Sequence, residues 1–147
     1  MANFVLISSG SRYPINRKKV RKTILDYLEN LGIDEAEISV AIVGSRKIKE
    51  LNRRYRNLDE PTTVLTFALE EPRDESGILR IGDIVISYPQ ARIIAKEDNL
   101  PMDETIDKLI IHGLNNLVKK DFKTGDFHFK HDKNFLSQAQ TTKLSAS

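Results

Sequence analysis

The stretch that decides the fold is LIIHGLNNLVKKD, residues 109–121, the most apolar run of the chain. It contains one histidine, His112, and the adjacent Gly113 lowers helix propensity by about 1 kcal/mol relative to alanine. A buried helix needs neither residue for its stability, so the pair indicates a functional site on a core helix. His112 and Asn116 are four residues apart and should therefore lie one turn apart on the same face. A metal site on this face would use histidine at both positions, and this sequence has one.

The composition is that of one globular domain. The 147 residues are 39% hydrophobic and 30% charged, which excludes a disordered chain. The absence of cysteine excludes a disulfide framework, thiolate zinc ligands and a cysteine nucleophile. The N-terminal apolar run covers only residues 4–7. It is too short for a signal peptide or a membrane span, so we expect a cytoplasmic protein without a membrane partner.

Positive charge is concentrated in the first part of the chain. Residues 1–57 contain twelve Lys and Arg against six Asp and Glu, whereas residues 58–147 contain eleven against fifteen. No acidic residue precedes Asp26, although six basic residues do: Arg12, Arg17, Lys18, Lys19, Arg21 and Lys22. A basic half indicates a polyanionic partner, of which nucleic acid is the commonest. The alternative is a lysine-rich helix face whose charges are simply solvated.

Hydrophobic periodicity and turn residues predict an α+β domain of about four strands and about four helices. Strands are predicted at residues 4–7, 38–43, 62–67 and 78–87. The first predicted helix is capped by Asn16 and closed by Gly32, and the second is capped by Ser45. The third runs from Pro89 to near Asn99. The fourth is the helix of the apolar run, with Asp103 and Glu104 in its first turn and Lys119 and Lys120 in its last. Residues 1–137 are predicted to form a single domain, and residues 138–147 a frayed tail.

Four segments carry a resemblance to a known family. They are LNRRYR at residues 51–56, EPTTVLTF at 60–67, GDIVI at 82–86 and IHGL at 111–114, the last being the start of an H-G-x-x-H-x-x-G-x-D-H motif. In this order and spacing they resemble the bacterial YbeY family, rRNA maturation factors described as single-strand-specific, zinc-dependent endoribonucleases. The resemblance extends from residue 4 to about residue 121. It implies a mixed sheet packed with helices, with the motif helix at the centre.

The resemblance also implies a zinc site made by three histidines, with an open position for water. Three ligands and a water are the usual arrangement of catalytic zinc, which makes the water a better nucleophile. His112 stands at the first ligand position, but Asn116 and Phe122 stand at the second and third. Lys119 replaces the motif glycine. An amide is a poor zinc ligand and a phenyl ring is none, so zinc is expected from the family but not supported by these residues.

Two other interpretations of the histidines stay open. If a six-residue insertion loops out, His128 or His131 could approach His112 and restore a two-histidine site, with Asn116 as a weak third ligand. Alternatively, His112 is a core histidine that donates a hydrogen bond to a carbonyl and binds no metal.

Arg56 matches an arginine that the family uses near its active site, where the resemblance implies a contact with RNA. A guanidinium group suits this role because it always carries charge and can bind phosphate through two N–H groups. Arg56 is predicted to line a groove for single-stranded RNA together with Arg53, Arg54 and the basic residues of the first helix. Tyr55 is predicted to pack in the core rather than stack on a base. Asp83 is predicted to be a turn residue or a hydrogen-bonding residue inside a strand.

Two functional hypotheses follow. The first is a hydrolase of rRNA processing and ribosome biogenesis, an endoribonuclease whose catalytic residues are Arg56 and His112. Its partners would be single-stranded RNA or rRNA and the small ribosomal subunit. Its metal ligands would be His112 and, as a replacement for a missing family histidine, His128. The second is a non-catalytic RNA- or ribosome-binding protein that has kept the fold and the basic face.

Overall fold

The computed structural model describes residues 2–69 and 75–118 and the backbone of residues 141–143. The elements in chain order are β1 (Phe4–Ser9), α1 (Arg17–Asn30), β2 (Ala36–Val43), α2 (Ser45–Arg56), β3 (Val64–Ala68), β4 (Leu79–Ser87), α3 (Tyr88–Asp98), α4 (Met102–Val118) and β5 (Thr141–Lys143). The α+β class and the four helices are as predicted, and a short fifth strand joins the four predicted ones. Apart from β5, the predicted tail lies outside the described residues, as do Lys119 and Lys120.

The five strands form one mixed sheet in the order β1-β2-β4-β3-β5. β1, β2 and β4 are parallel, β3 is antiparallel to β4, and β5 is parallel to β3. β4 therefore enters the sheet between β2 and β3, although β3 precedes it in the chain. The predicted mixed sheet is confirmed.

The helices cover both faces of the sheet. Alternate residues of a strand point to opposite faces, and the buried side chains divide into two clusters accordingly. The larger cluster includes Ile38 and Ile84 and packs under α1, α3 and α4. The smaller includes Leu65 and Val85 and packs under α2, around Ile48. α2 therefore lies on the face opposite to α1 and α4.

Residues at the helix ends account for most of the predicted boundaries. Asn16 caps α1 by accepting a hydrogen bond from the backbone N–H of Lys19, at 3.0 Å. Asn57 and Asn99 adopt the left-handed conformation that ends α2 and α3. Ser45 was predicted to be a cap, but the cap of α2 is Gly44, and Ser45 is the first helical residue.

α1 and α4 are joined by polar contacts as well as by the core. The hydroxyl of Tyr27 donates a 2.6 Å hydrogen bond to Oδ1 of Asn115, and Lys19 forms an ion pair with Asp107 at 3.4 Å. These contacts join α1 to α4, the helix that carries His112. Among the described residues, no helix is long and apolar enough to cross a membrane.

Candidate functional site

His112 and Asn116 both lie in the interior, on one flank of α4. Their exposed fractions are 1% and 5%. Asn115 contacts α1, whereas Gly113 and Leu117 contact the sheet. His112 directly precedes Gly113, and Asn116 directly precedes Leu117. Successive residues of a helix are about 100° apart around its axis. His112 and Asn116 therefore occupy a separate flank next to the sheet-facing side, which confirms that they share a face.

Two glycines allow α4 to approach the sheet closely. A β-carbon at Gly113 would lie 3.1 Å from two carbon atoms of Ile84. A β-carbon at Gly82 would collide with the carbonyl oxygen of Phe67 on the neighbouring strand, and would lie 3.0 Å from Cδ2 of Leu117. The sequence interpretation took Gly113 as a sign of function. The structure gives it a packing role, because it lets α4 lie directly against Ile84 of β4.

Burial determines the protonation of His112. Loss of hydration lowers its pKa to about 4, so the ring is neutral at pH 7. The neutral ring has a nitrogen lone pair and is the form that binds metals. A pKa near 4 makes it a weak proton acceptor at neutral pH, where a general base works best with a pKa close to 7. The ring is therefore better suited to ligation or hydrogen bonding than to acid–base catalysis.

The described residues do not fit a three-ligand zinc site. Within residues 2–69 and 75–118, no three His, Cys, Asp or Glu side chains lie close enough together to hold a metal ion. His112 is the one histidine of these ranges, and the side chain one turn further on is the amide of Asn116. Phe122 and the two proposed replacements, His128 and His131, lie outside the described residues.

Arg56 is the last residue of α2 and the only half-buried one of the three candidate arginines, because Arg53 and Arg54 are exposed. Its Nη1 is buried and has no hydrogen-bond partner within the described part of the chain. Burial lowers the pKa of Arg56, but a guanidinium starts so high that it stays charged at neutral pH. Arg56 thus presents a charged donor from a semi-enclosed position, as a phosphate contact requires.

Asn52 is a buried polar residue that its place in the sequence does not mark as functional. Its side-chain Nδ2 donates to the backbone carbonyl of Glu60 at 2.9 Å, and its backbone carbonyl accepts from the N–H of Leu58 at 3.3 Å. It therefore ties the connection between α2 and β3 back onto α2, next to Arg56. The available signal was its position four residues after Ile48, on the buried side of the helix.

The predictions for Tyr55 and Asp83 are confirmed. Tyr55 packs edge-to-face on Phe67, with ring centroids 5.1 Å apart, and belongs to the core under α2. Asp83 accepts a hydrogen bond from the hydroxyl of Ser39, its partner in the register of β2 and β4.

The predicted groove between the two basic helices is wrong. α1 and α2 cover opposite faces of the sheet, so the basic residues of α1 cannot line the same groove as Arg53, Arg54 and Arg56. The sequence could not reveal this because it does not show on which face each helix packs. His112, on α4, also lies on the face opposite to α2.

Comparison with known proteins gives a consistent result. The sequence profile of the family described as endoribonuclease YbeY matches residues 8–123. A protein named endoribonuclease YbeY from Persephonella marina is 38% identical over 126 residues, which cover 84% of this chain and 82% of the relative. The protein of that name from Aquifex aeolicus is 35% identical over 123 residues, or 84% of this chain and 80% of the relative.

A solved structure shares the fold. The solution structure of TM1509 from Thermotoga maritima matches with a TM-score of 0.52 and 22% sequence identity, and the match covers 92% of this chain and 83% of that one.

Proposed function

The chain belongs to the endoribonuclease YbeY family, and we propose that it is an endoribonuclease that hydrolyses single-stranded RNA during the maturation of ribosomal RNA. The observation that carries the proposal is the 38% identity to a protein named endoribonuclease YbeY over 82% of that protein's length. The matched region includes all of α2 and α4, on which the candidate residues lie.

The proposed role of Arg56 is to bind a phosphate of the RNA. Nη1 of its half-buried, charged guanidinium has no hydrogen-bond partner among the described residues, and such a donor matches the oxygens of a phosphodiester. Arg53 and Arg54 are exposed in the same last turn of α2 and would bind neighbouring phosphates. Asn52 acts as a positioning residue, because it ties down the segment that follows Arg56.

The proposed role of His112 is to hold a group through its neutral ring, rather than to transfer protons. Because α4 packs on the face of the sheet opposite to α2, this group is assigned a position separate from the phosphate bound by Arg56. The family resemblance implies that this group is zinc. A zinc site in this chain would need ligands beyond the described residues, and His128 is the proposed replacement. We assign no catalytic step to a metal, because the described donors do not fit one.

The proposed setting is the cytoplasm, where ribosomes are assembled. A maturation nuclease acts on rRNA as part of a ribosomal particle, so the small ribosomal subunit is the proposed partner. The proposed ribosomal partner specifies the substrate as rRNA rather than RNA in general, and it rests on the family resemblance.

The experiment is cleavage of an end-labelled single-stranded RNA by the purified full-length protein. Internal cleavage is expected, and Arg56→Gln should lower kcat/KM by about tenfold or more, since a charged hydrogen bond contributes about 1.5–3 kcal/mol. Arg56→Lys should recover only part of the loss, because lysine cannot form the bidentate contact. Lys96→Gln, an exposed lysine on α3, is the matched control and should change nothing.

The metal is tested in the same preparations. Zinc per chain is measured by mass spectrometry for the wild type and for His112→Gln and His128→Gln. Zinc that both substitutions remove, together with chelator-sensitive cleavage, would support the two-histidine site. RNA binding without cleavage, in a protein free of metal, would identify the chain as a non-catalytic RNA- or ribosome-binding protein.

A further inference from the structure

The outer edge of the sheet is closed by two arginines. β1 is the first strand of the sheet, with β2 as its neighbour, so alternate backbone carbonyls of β1 point outward. Arg17 donates to the carbonyls of Ile7 and Ser9, at 2.9 and 3.0 Å, and Arg21 donates to that of Val5, at 3.3 Å. Two side chains one turn apart on α1 thus serve three successive outward carbonyls.

This arrangement changes what the edge can bind. An added β-strand needs both donors and acceptors from the edge that it joins. Here the outward acceptors of β1 are already taken by guanidinium groups. What remains on this side are N–H donors, from the backbone and from the parts of each guanidinium that do not face the strand. A surface of donors favours an anionic ligand over another strand.

The charge of the surrounding surface favours the same class of ligand. Arg12, Arg17, Lys18 and Arg21 are all exposed, and no acidic residue precedes Asp26 in the chain. Two nearby carboxylates are paired with other lysines, since Asp26 binds Lys22 at 2.7 Å and Asp107 binds Lys19 at 3.4 Å. The cationic charge of these four residues is therefore not neutralised by these two carboxylates.

We propose that the β1 edge and the exposed basic residues of α1 form a second RNA-binding surface, which holds the phosphodiester backbone away from the site on α2. The term "β1-edge surface" denotes Arg12, Arg17, Lys18 and Arg21. The proposal rests on the proposed function in one respect, namely that the natural polyanion is RNA. Because α1 and α2 lie on opposite faces of the sheet, only an RNA long enough to pass around the domain can reach both surfaces.

The test uses variants that leave the edge contacts intact. Arg17 and Arg21 bind the backbone of β1, and their loss could unfold the edge. Arg12→Gln and Lys18→Gln remove charge from residues without such contacts, and Lys96→Gln is the control on α3. Affinities for single-stranded RNAs of about 4 and about 20 nucleotides are measured at several salt concentrations, with chelator present to prevent cleavage.

The double variant Arg12→Gln/Lys18→Gln should bind the long RNA more weakly. Each lost phosphate contact should lower the salt slope by about 0.7, and so weaken affinity on the order of fivefold at 0.1 M salt. Binding of the short RNA should stay as in the wild type, because the short RNA occupies only the α2 site. Lys96→Gln should leave both affinities unchanged.

Other results overturn the proposal and separate it from the proposed function. If the double variant binds the long RNA with unchanged affinity and slope while Arg56→Gln weakens it, the β1-edge surface is wrong and the nuclease function stands. If neither the double variant nor Arg56→Gln changes the affinity for RNA, both the β1-edge surface and the proposed nuclease function are wrong. If Arg17→Ala/Arg21→Ala makes the protein self-associate in sedimentation without a change in RNA affinity, the two arginines only keep other strands off the β1 edge, and the RNA-binding surface is wrong.

Discussion

Gly113 of α4 and Ile84 of β4 are packed with no room for a methyl group, since an added β-carbon would lie 3.1 Å from both Cδ1 and Cγ2 of the isoleucine. Gly113→Ala gains about 1 kcal/mol in helix propensity, but overpacking of a core typically costs about 1–3 kcal/mol. We expect a net loss of about 1 kcal/mol in the free energy of unfolding, measured by urea denaturation.

The matched control is Ile84→Val, which removes Cδ1 from the contact and alone costs about 0.5–1.5 kcal/mol. In the Ile84→Val background, Gly113→Ala should lower the free energy of unfolding by less than it does in the wild type, because the removed Cδ1 relieves part of the crowding. Additive effects of the two substitutions would contradict the proposed crowding.

Tyr27→Phe removes the hydroxyl that donates to Asn115 and should lower the free energy of unfolding by about 1 kcal/mol near neutral pH. Burial raises the pKa of Tyr27 from 10.0 to about 12, so between these values the folded state holds more protons than the unfolded one. Stability from this group is complete below pH 10 and is lost as the pH rises towards 12. Denaturation at pH 8 and pH 11 should show a smaller difference between wild type and Tyr27→Phe at the higher pH. An equal difference at both would contradict the shifted pKa.

His112 should make the metal-free protein less stable in acid. Burial lowers its pKa from 6.5 to about 4, so between these values the unfolded state binds more protons than the folded one. Stability from this group is complete above pH 6.5 and is lost as the pH falls towards 4. His112→Gln should show a flatter decline than the wild type when both are denatured by urea at pH 7, 6 and 5 after chelator treatment. Parallel curves would mean that the ring titrates in the folded protein as it does in water.

Asn116→His should increase zinc binding, because two imidazoles one turn apart on a helix face can hold the same ion. We expect more zinc per chain after dialysis against buffered zinc than in the wild type, as measured by mass spectrometry. Asn115→His is the control, since Asn115 contacts α1 on another flank and should give no increase. If the wild type already holds one zinc with the affinity of Asn116→His, its ligands come from another part of the chain.

Local patterns predicted the local structure well. The spacing of apolar residues gave the four helices and the first four strands, and side chains such as Asn16 gave the ends. β3 was predicted to begin at Thr62 but begins at Val64, because strand propensity extends beyond the residues that pair with β4. β5 escaped prediction because three polar residues, Thr141–Lys143, carry no pattern of their own and are identified by their pairing with β3.

The site was predicted less completely because its geometry depends on packing between distant segments. The sequence placed His112 and Asn116 on one face and marked Arg56 as a phosphate contact candidate. It could not show that Gly113 fits against Ile84, or that Arg17 and Arg21 bind the backbone of β1. These contacts depend on which strand or helix lies alongside, and residue spacing within one segment carries no such information.

The position of β4 between β2 and β3 has a consequence for synthesis. A nascent chain that has emerged only as far as residue 69 contains β3 but not the strand against which it pairs. Its apolar residues, such as Leu65 and Phe67, then face water or a chaperone until β4 follows. Only β1 and β2 can pair during this interval. The sheet must therefore close late, when β4 and α4 have left the ribosome, and a translational pause before residue 79 should expose the chain to aggregation.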